Sequence, residues 1–271
     1  MVIEIGELNA GYGLDANGFI VSDVSKDKIN DIYVPCIEES IKGLKDIFPK
    51  TLHSVYVYGS IARGEAIIKK SDLDLIAMFY TKLSNVKLAE LKKLAKELSE
   101  KYRSLVRDVG IAIAYYDYTI EPSNYYENAF LKELCVCVYG EDIGERFGPY
   151  KLTSEIAIRF NGDINDVLNR TLKRLETASK ADFKIVTQNF SRKLIRTYYS
   201  MVMARSQIWT TRLHEQSEVV IRYFPEKEPI IRTLLHWIQE PPTDRETVYQ
   251  FFKREGKWAS VNFLNEAKIP Y

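Results

Sequence analysis

Two short stretches, Val55-Tyr-Val-Tyr-Gly59-Ser60 and Asp72-Leu-Asp74-Leu-Ile-Ala-Met-Phe79, decide the fold of this 271-residue chain. The first predicts an apolar strand that ends in a Gly-Ser turn, and the second predicts a strand that begins with two carboxylates. Because side chains alternate between the two faces of a strand, Asp72 and Asp74 project from the same face. Two like charges held this close repel, and a divalent cation between them removes the repulsion. Since the backbone N–H groups and the hydroxyl of the turn are suited to a phosphate, the sequence predicts a metal-nucleotide site.

The residues between these stretches complete a longer pattern. The linker Ile61–Ser71 is short, polar and basic, and contains Ala62-Arg63-Gly64. A Gly-Ser turn or an Asp-x-Asp strand start also occurs in many ordinary folds, so the combination carries the meaning. As a whole, Tyr58–Leu75 resembles the nucleotidyltransferase motif of the DNA polymerase β superfamily.

The resemblance implies a third carboxylate on a strand next to the acidic pair. Asp108 opens the apolar run Val109–Ala114 and is the candidate by position. Its rival is Asp117, at the other end of the same predicted strand. The plain structural alternative for Asp108 is an exposed acid at a strand start, paired with Arg107 or Arg103.

The same resemblance implies two-metal phosphoryl transfer with ATP as the donor and two Mg²⁺ ions. Asp72 and Asp74 would hold the nucleotide-bound ion, and together with Asp108 they would position a second ion that activates the acceptor hydroxyl. Carboxylate and phosphate oxygens suit Mg²⁺ better than zinc. Gly59 would let the backbone approach the β- and γ-phosphates, and the Ser60 hydroxyl would donate to one of them.

Further candidates carry weaker signals. Arg63 is a candidate for a phosphate contact or for a structural role in the turn. The region Arg196–Arg212 is similar to the C-terminal helical domain of aminoglycoside adenylyltransferases, in which a Lys after Ser or Thr contacts the nucleotide phosphates. Here Arg212 follows Thr211 at that place, and its alternative is a surface helix charge. Glu121 and Glu127, in a tyrosine-rich loop, are candidates for a general base, which an activated hydroxyl does not strictly need.

The periodicity predicts an α+β fold in two domains. Residues 1–149 are expected to form the nucleotidyltransferase catalytic domain, a mixed sheet flanked by helices. After Gly148-Pro149 the apolar spacing becomes helical throughout, which predicts a bundle of about five helices over residues 150–271 that completes the nucleotide and acceptor cleft. The elements predicted before the boundary are helices over Ile29–Phe48 and from a cap at Asn85, and strands over 54–58, 73–79, 105–115 and 134–139.

The composition is that of an ordinary folded enzyme. The chain is 46% hydrophobic, with 38 basic and 37 acidic residues. No apolar run approaches the ~20 residues of a membrane span, and the first eight residues do not resemble a secretory signal, so we expect a cytoplasmic protein without a membrane partner. The three cysteines, Cys36, Cys135 and Cys137, are predicted as core thiols rather than metal ligands.

The charge is unevenly distributed. From Lys151 onward there are 20 basic and 14 acidic residues, whereas residues 1–150 hold 18 and 23. The acidic excess, concentrated in Asp117–Arg146, is either solvated surface or one wall of a site for a cationic acceptor. Without a continuous basic track we do not expect a nucleic-acid substrate.

Together with the resemblance, this charge pattern favours AMP transfer to a hydroxyl of a small, amine-bearing molecule of the aminoglycoside type, and hence a role in antibiotic resistance. Two alternatives stay open from the sequence. One is nucleotidyl transfer to a protein or RNA hydroxyl, as in toxin-antitoxin nucleotidyltransferases, and the other is a non-catalytic nucleotide-binding module.

Overall fold

The computed structural model describes residues 8–271, so the start of the chain on which the expectation about a secretory signal rests lies outside it, except for Leu8. The described chain forms two compact units. One is Ser22–Pro149, and the other combines residues 8–21 with Tyr150–Tyr271. The domain division that the sequence predicts, 1–149 and 150–271, stays a prediction. The assignment of functions to the two domains stays a prediction.

The unit Ser22–Pro149 is built on a four-stranded sheet with the order β3-β2-β1-β4. The strands are β1 (Leu52–Tyr58), β2 (Leu73–Phe79), β3 (Val109–Tyr115) and β4 (Cys135–Gly140). β1 runs antiparallel to both β2 and β4, whereas β2 and β3 are parallel. The predicted mixed sheet is therefore confirmed.

One face of the sheet is covered by two helices, α1 (Val34–Ile47) and α2 (Asn85–Lys101). Alternate residues of β2, from Leu73 to Phe79, are fully buried and belong to the core that includes α1 and α2. Asp72 and Asp74 are in the opposite phase of this alternation, so they lie on the face away from the two helices. Alternation thus separates the hydrophobic core from the acidic pair.

Several predicted boundaries were wrong by a few residues. α1 begins at Val34 rather than Ile29, because two short 3₁₀ turns occupy residues 26–33, although Pro35 lies in the first turn as expected. The cap of α2 is Ser84 rather than Asn85, since the Ser84 hydroxyl accepts a hydrogen bond from the Lys87 N–H group. β3 begins at Val109 rather than Leu105, because residues 102–106 form hydrogen-bonded turns after α2.

The unit ends with α3 (Tyr116–Ile120), α4 (Ala129–Leu134) and β4. Glu133 of α4 is 4% exposed, and this burial raises the pKa of its carboxyl to about 7. The cysteines are free thiols. Cys36 and Cys135 are buried, Cys137 is half-buried, and burial raises the pKa of Cys36 to about 12. Protonated, buried thiols agree with the predicted core role for Cys36 and Cys135.

The second unit is helical from Ser154 onward, which confirms the expected all-helical region with six α-helices instead of about five. α7 lies at its centre and packs against the five others. It begins with a Ser179 cap and ends where Gln207 adopts a left-handed conformation. The six helices are α5 (Ser154–Asn161), α6 (Ile164–Thr177), α7 (Lys180–Ser206), α8 (Leu213–Tyr223), α9 (Glu228–Gln239) and α10 (Arg245–Ala267).

Residues 8–21 join this unit through backbone hydrogen bonds. The N–H of Gly11 donates to the Gln207 carbonyl, and the N–H of Trp209 donates to the Tyr12 carbonyl. No sequence pattern indicates this pairing, since it joins residues about 200 positions apart. None of the described helices combines the length and the apolar character that crossing a membrane requires.

A buried ion pair links three parts of the helical unit. Glu255 of α10 is 3% exposed and accepts hydrogen bonds from Lys227, which precedes α9, and from Tyr198 of α7. The Lys227 ammonium also lies 3.9 Å from the ring centroid of Trp258. Although burial raises the pKa of Glu255, Arg254, Lys227 and Tyr198 outweigh it and hold that pKa below its usual range.

We expect Glu255→Gln to destabilise the protein by about 3 kcal/mol, because it leaves the Lys227 charge buried without a counter-charge. Thermal or urea unfolding of the full chain measures this loss. Glu246→Gln, at an exposed position of the same helix, is the matched control and should change stability by less than about 0.5 kcal/mol. Equal effects of the two substitutions would contradict this account.

We also expect Glu133→Gln to change how stability depends on pH. The pKa of Glu133 in the folded protein, about 7, lies above the ~4.3 of an unfolded chain, so ionisation destabilises the wild type as pH rises between these values. The variant should therefore gain roughly 2 kcal/mol over the wild type between pH 5 and pH 8. Unfolding at both pH values is compared with exposed Glu97→Gln, and a pH-independent difference would refute the prediction.

Candidate active site

The Gly-Ser turn lies directly against the second carboxylate of the acidic pair. Tyr58, the last residue of β1, pairs with Asp74 of β2. Gly59 then turns with φ +78°, a backbone conformation that favours glycine. A Cβ at this position would lie 2.8 Å from Oδ2 of Asp74. The residue must therefore be glycine both for its backbone angle and for the carboxylate beside it.

The turn after Gly59 is wound by its own backbone. The Arg63 N–H donates to the Gly59 carbonyl, and the Glu65 N–H donates to the Ser60 carbonyl. Ile61 and Ala62 are buried and attach the turn to the core beneath. Ser60 is half-buried at the start of this turn, two residues after the strand residue that pairs with Asp74.

A second glycine borders the same carboxylate. Gly110 of β3 is the partner of Asp74 in the parallel register, and a Cβ there would lie 3.5 Å from Oδ1 of Asp74. Since neither Gly59 nor Gly110 has a side chain, the backbone of the turn and of β3 approaches the Asp74 carboxylate closely. Gly110 was not predicted from the sequence. Its signal was a glycine inside an apolar strand, a position that often marks a close approach.

Asp72 is held by a guanidinium group. Nε of Arg107 donates to Oδ1 of Asp72 at 2.9 Å, and Nη2 donates to Oδ2. This hydrogen bonding to Asp72 raises the pKa of Arg107, and the charges of Asp72, Asp108 and Asp74 raise it further. Arg107 was considered from the sequence as a partner of Asp108, but it pairs with Asp72.

Asp108 lies at the same end of the sheet, since its carbonyl accepts a hydrogen bond from the Leu73 N–H group. Its carboxylate accepts hydrogen bonds from the Ser99 hydroxyl of α2 at 2.6 Å and from the Val109 N–H group at 2.9 Å. In residues 8–271 no three His, Cys, Asp or Glu side chains are grouped closely enough to hold a metal ion. The structure thus brings Asp72 and Asp74 to one face and turns the Asp108 side chain toward α2.

The rival third carboxylate is far away. Asp117 lies in α3, beyond the opposite end of β3. The seven residues of that strand, at about 3.3 Å each, separate its two ends by roughly 20 Å. This separation favours Asp108 over Asp117 as the acid nearer to Asp72 and Asp74.

The remaining candidates are Arg63, Glu127, Glu121 and Arg212. Nε of Arg63 donates to Glu65 at 3.0 Å, and the Tyr118 hydroxyl donates to Glu127 at 2.6 Å. Glu121 is exposed and precedes a short 3₁₀ turn. Arg212 belongs to the helical unit and immediately precedes α8, beside Tyr12, whose pKa is raised by burial and by Glu215 and lowered by Arg212. The structure assigns none of these four residues to the carboxylate pair.

Comparison with known proteins identifies the domain. Residues 37–129 match the nucleotidyltransferase domain family. No curated protein sequence matches the chain significantly. Among solved structures, the fold is similar to the crystal structure of spectinomycin adenyltransferase AAD(9) from Enterococcus faecialis with ATP and spectinomycin, with a TM-score of 0.52 and 13% identity. That similarity covers 83% of this chain and 98% of the other, and at such low identity it concerns the fold.

These findings confirm the predicted superfamily resemblance and the α+β fold. Residues 37–129 carry a nucleotidyltransferase domain, which supports an enzyme. The matched residues include the Gly-Ser turn, the acidic pair, Arg107, Asp108 and Gly110.

We expect Gly59→Ala to weaken divalent-cation binding at least tenfold, because the new methyl group displaces the Asp74 carboxylate, and to lower stability by about 1–2 kcal/mol through backbone strain. Electron paramagnetic resonance of free Mn²⁺ measures the first effect and thermal unfolding the second. Gly18→Ala is the matched control, since Gly18 has the same φ of +78° with no atom within 4 Å of a Cβ. Equal loss of Mn²⁺ binding in both variants would contradict the role of Gly59.

Proposed function

We propose that the protein transfers AMP from Mg-ATP to a hydroxyl group of a small, amine-bearing acceptor of the aminoglycoside type, with release of pyrophosphate. The observation that carries this proposal is the contact between Gly59 and the Asp74 carboxylate. This contact lies at the start of the turn that contains Ser60, beside one of two carboxylates on one strand face. Donors for phosphate and oxygen ligands for a cation are both needed for transfer from a nucleoside triphosphate.

The residues suit magnesium ions. Asp72 and Asp74 supply hard carboxylate oxygens, and the two residues that border Asp74, Gly59 and Gly110, have no side chain. When bound, the ions neutralise the triphosphate charge and stabilise the transition state of in-line attack at the α-phosphate. Asp108 would hold a second ion after a rotation of its side chain, in exchange for its hydrogen bond to Ser99. These positions suggest a role for each residue in the reaction.

In this scheme the protein binds and orients the nucleotide and the acceptor, and pyrophosphate is the leaving group. Gly59 and Ser60 bind the β- and γ-phosphates through N–H and O–H donors, and Asp74 is held in place by the two glycines. Arg63 would reach a phosphate by giving up its bond to Glu65. A phosphate contact for Arg212, which belongs to the helical unit, stays a prediction from the sequence. Neither Glu121 nor Glu127 is assigned as the general base. Glu127 accepts a hydrogen bond from the Tyr118 hydroxyl, and Glu121 follows α3, beyond the end of β3 that is opposite the acidic pair.

Two observations support an amine-bearing acceptor. The segment after β3 combines acidic residues with exposed aromatic rings, Tyr118, Tyr125 and Tyr126, that are 56%, 38% and 39% exposed. Aromatic faces and carboxylates both attract ammonium groups. In addition, the similar structure is a spectinomycin adenyltransferase, determined with ATP and spectinomycin. Spectinomycin is therefore the first acceptor to test.

The test is pyrophosphate release from ATP and Mg²⁺ across spectinomycin, aminoglycosides and other amino-hydroxyl compounds, with mass spectrometry of the acceptor. We expect one acceptor to gain a single AMP group. Asp74→Asn should lower the rate by a factor of about 10³ or more, because it removes a carboxylate that would hold the metal ions that stabilise the transition state. The temperature of thermal unfolding should stay near that of the wild type. GTP and CTP in parallel reactions report nucleotide preference.

Asp46→Asn, at an exposed position of α1, is the matched control and should keep full activity. Undiminished transfer by Asp74→Asn would overturn the assigned chemistry. Failure of every acceptor to react would overturn the small-molecule proposal and favour a macromolecular acceptor or a nucleotide-binding module.

A further inference from the structure

We infer that Arg107 competes with the divalent cation for Asp72, so that this arginine sets how tightly the enzyme binds the cation. The inference rests on the proposed function, because it requires the cation to bind at Asp72 and Asp74. It assigns a role to a residue that belongs to neither the turn nor the acidic pair.

Because of the geometry of the ion pair, Arg107 and a cation cannot both occupy the same edge of the Asp72 carboxylate. Arg107 uses two donors, Nε and Nη2, one for each oxygen of Asp72. Such a fork occupies the outer edge of the carboxylate, where both oxygens present lone pairs toward an approaching partner. A cation that takes Asp72 from the same edge must therefore displace at least one of the two donors.

A residue that merely orients a metal ligand has a different pattern. A residue that orients a ligating carboxylate must leave oxygen lone pairs accessible to the metal. Arg107 engages both oxygens, so it takes the place of a cation instead of supporting one. Its charge also acts on Asp74 and Asp108 as well as on Asp72. The guanidinium thus provides in part the charge compensation that the cation provides when bound.

The surroundings of Arg107 allow the exchange. Its side chain is 44% exposed and that of Asp72 is 25% exposed, so the guanidinium can move into water when it is displaced. The backbone stays in place, because the Arg107 N–H donates to the Ser71 carbonyl at 2.9 Å. The competitor is therefore tethered one residue from Asp72 and returns when the cation leaves.

The test measures Mn²⁺ affinity of the full-length protein by electron paramagnetic resonance, without nucleotide. Arg107→Gln should bind Mn²⁺ about tenfold more tightly than the wild type. Loss of a partly exposed two-donor ion pair changes the dissociation constant of the competing cation by about a factor of ten. Arg107→Lys keeps the charge without the fork and should gain about threefold. Arg103→Gln, four residues earlier and exposed, is the matched control and should stay within about twofold.

A second measurement separates competition from damage to the fold. Without divalent cations, Arg107→Gln should unfold at a lower temperature than the wild type, because Asp72 and Asp74 then repel without compensation. Added Mn²⁺ should raise its unfolding temperature by more than it raises that of the wild type.

The outcomes are distinguishable. Weaker Mn²⁺ binding by Arg107→Gln would make Arg107 an orienting residue and overturn the inference. If Arg107→Gln binds Mn²⁺ more tightly but Arg107→Lys does not, the effect depends only on the positive charge, and this would also overturn the inference. Either result, with Mn²⁺ binding lost in Asp74→Asn, leaves the proposed function standing. Mn²⁺ binding by Asp74→Asn as tight as that of the wild type would overturn the metal site, and the inference with it.

Discussion

The repulsion between Asp72 and Asp74 is the constraint on which the rest of the first unit depends. Two carboxylates on one face of a strand need a positive charge beside them and space in front of them. Arg107 supplies the charge at Asp72 through a two-donor fork. Gly59 and Gly110 have no side chain, so the backbone can lie close to the Asp74 carboxylate at both positions. The pairing of the strands brings each of these residues next to the acidic pair.

The order of the strands brings these parts together. β2 lies between β1 and β3, so the end of β1 and the start of β3 meet the start of β2 at one end of the sheet. The antiparallel pairing with β1 delivers the Gly-Ser turn, and the parallel pairing with β3 delivers Arg107, Asp108 and Gly110. The opposite face of β2 is buried against α1 and α2. The same strand therefore stabilises the fold with one face and presents charge with the other.

The parts of this arrangement that follow from local sequence were predictable. The limits of β2, the acidic pair on one face and the Gly-Ser turn all depend on residues close together in the chain. The partner of Arg107, the role of Gly110 and the attachment of residues 8–21 depend on strand register and on contacts between distant residues, which one sequence does not contain. The start of β3 was misjudged because turns at residues 102–106 looked like part of an apolar strand.

Asp108 shows why position in a sequence and orientation in a structure must be considered separately. Its place before β3 puts its backbone beside Leu73, close to the acidic pair. Its side chain nevertheless bonds to Ser99, so the carboxylate is directed toward α2. The difference between a structural acid and a metal ligand is then one side-chain rotation, whose cost is a hydrogen bond of about 1–3 kcal/mol. We propose that a bound divalent cation turns Asp108 toward Asp72, which requires that its affinity for the rotated carboxylate exceed this cost.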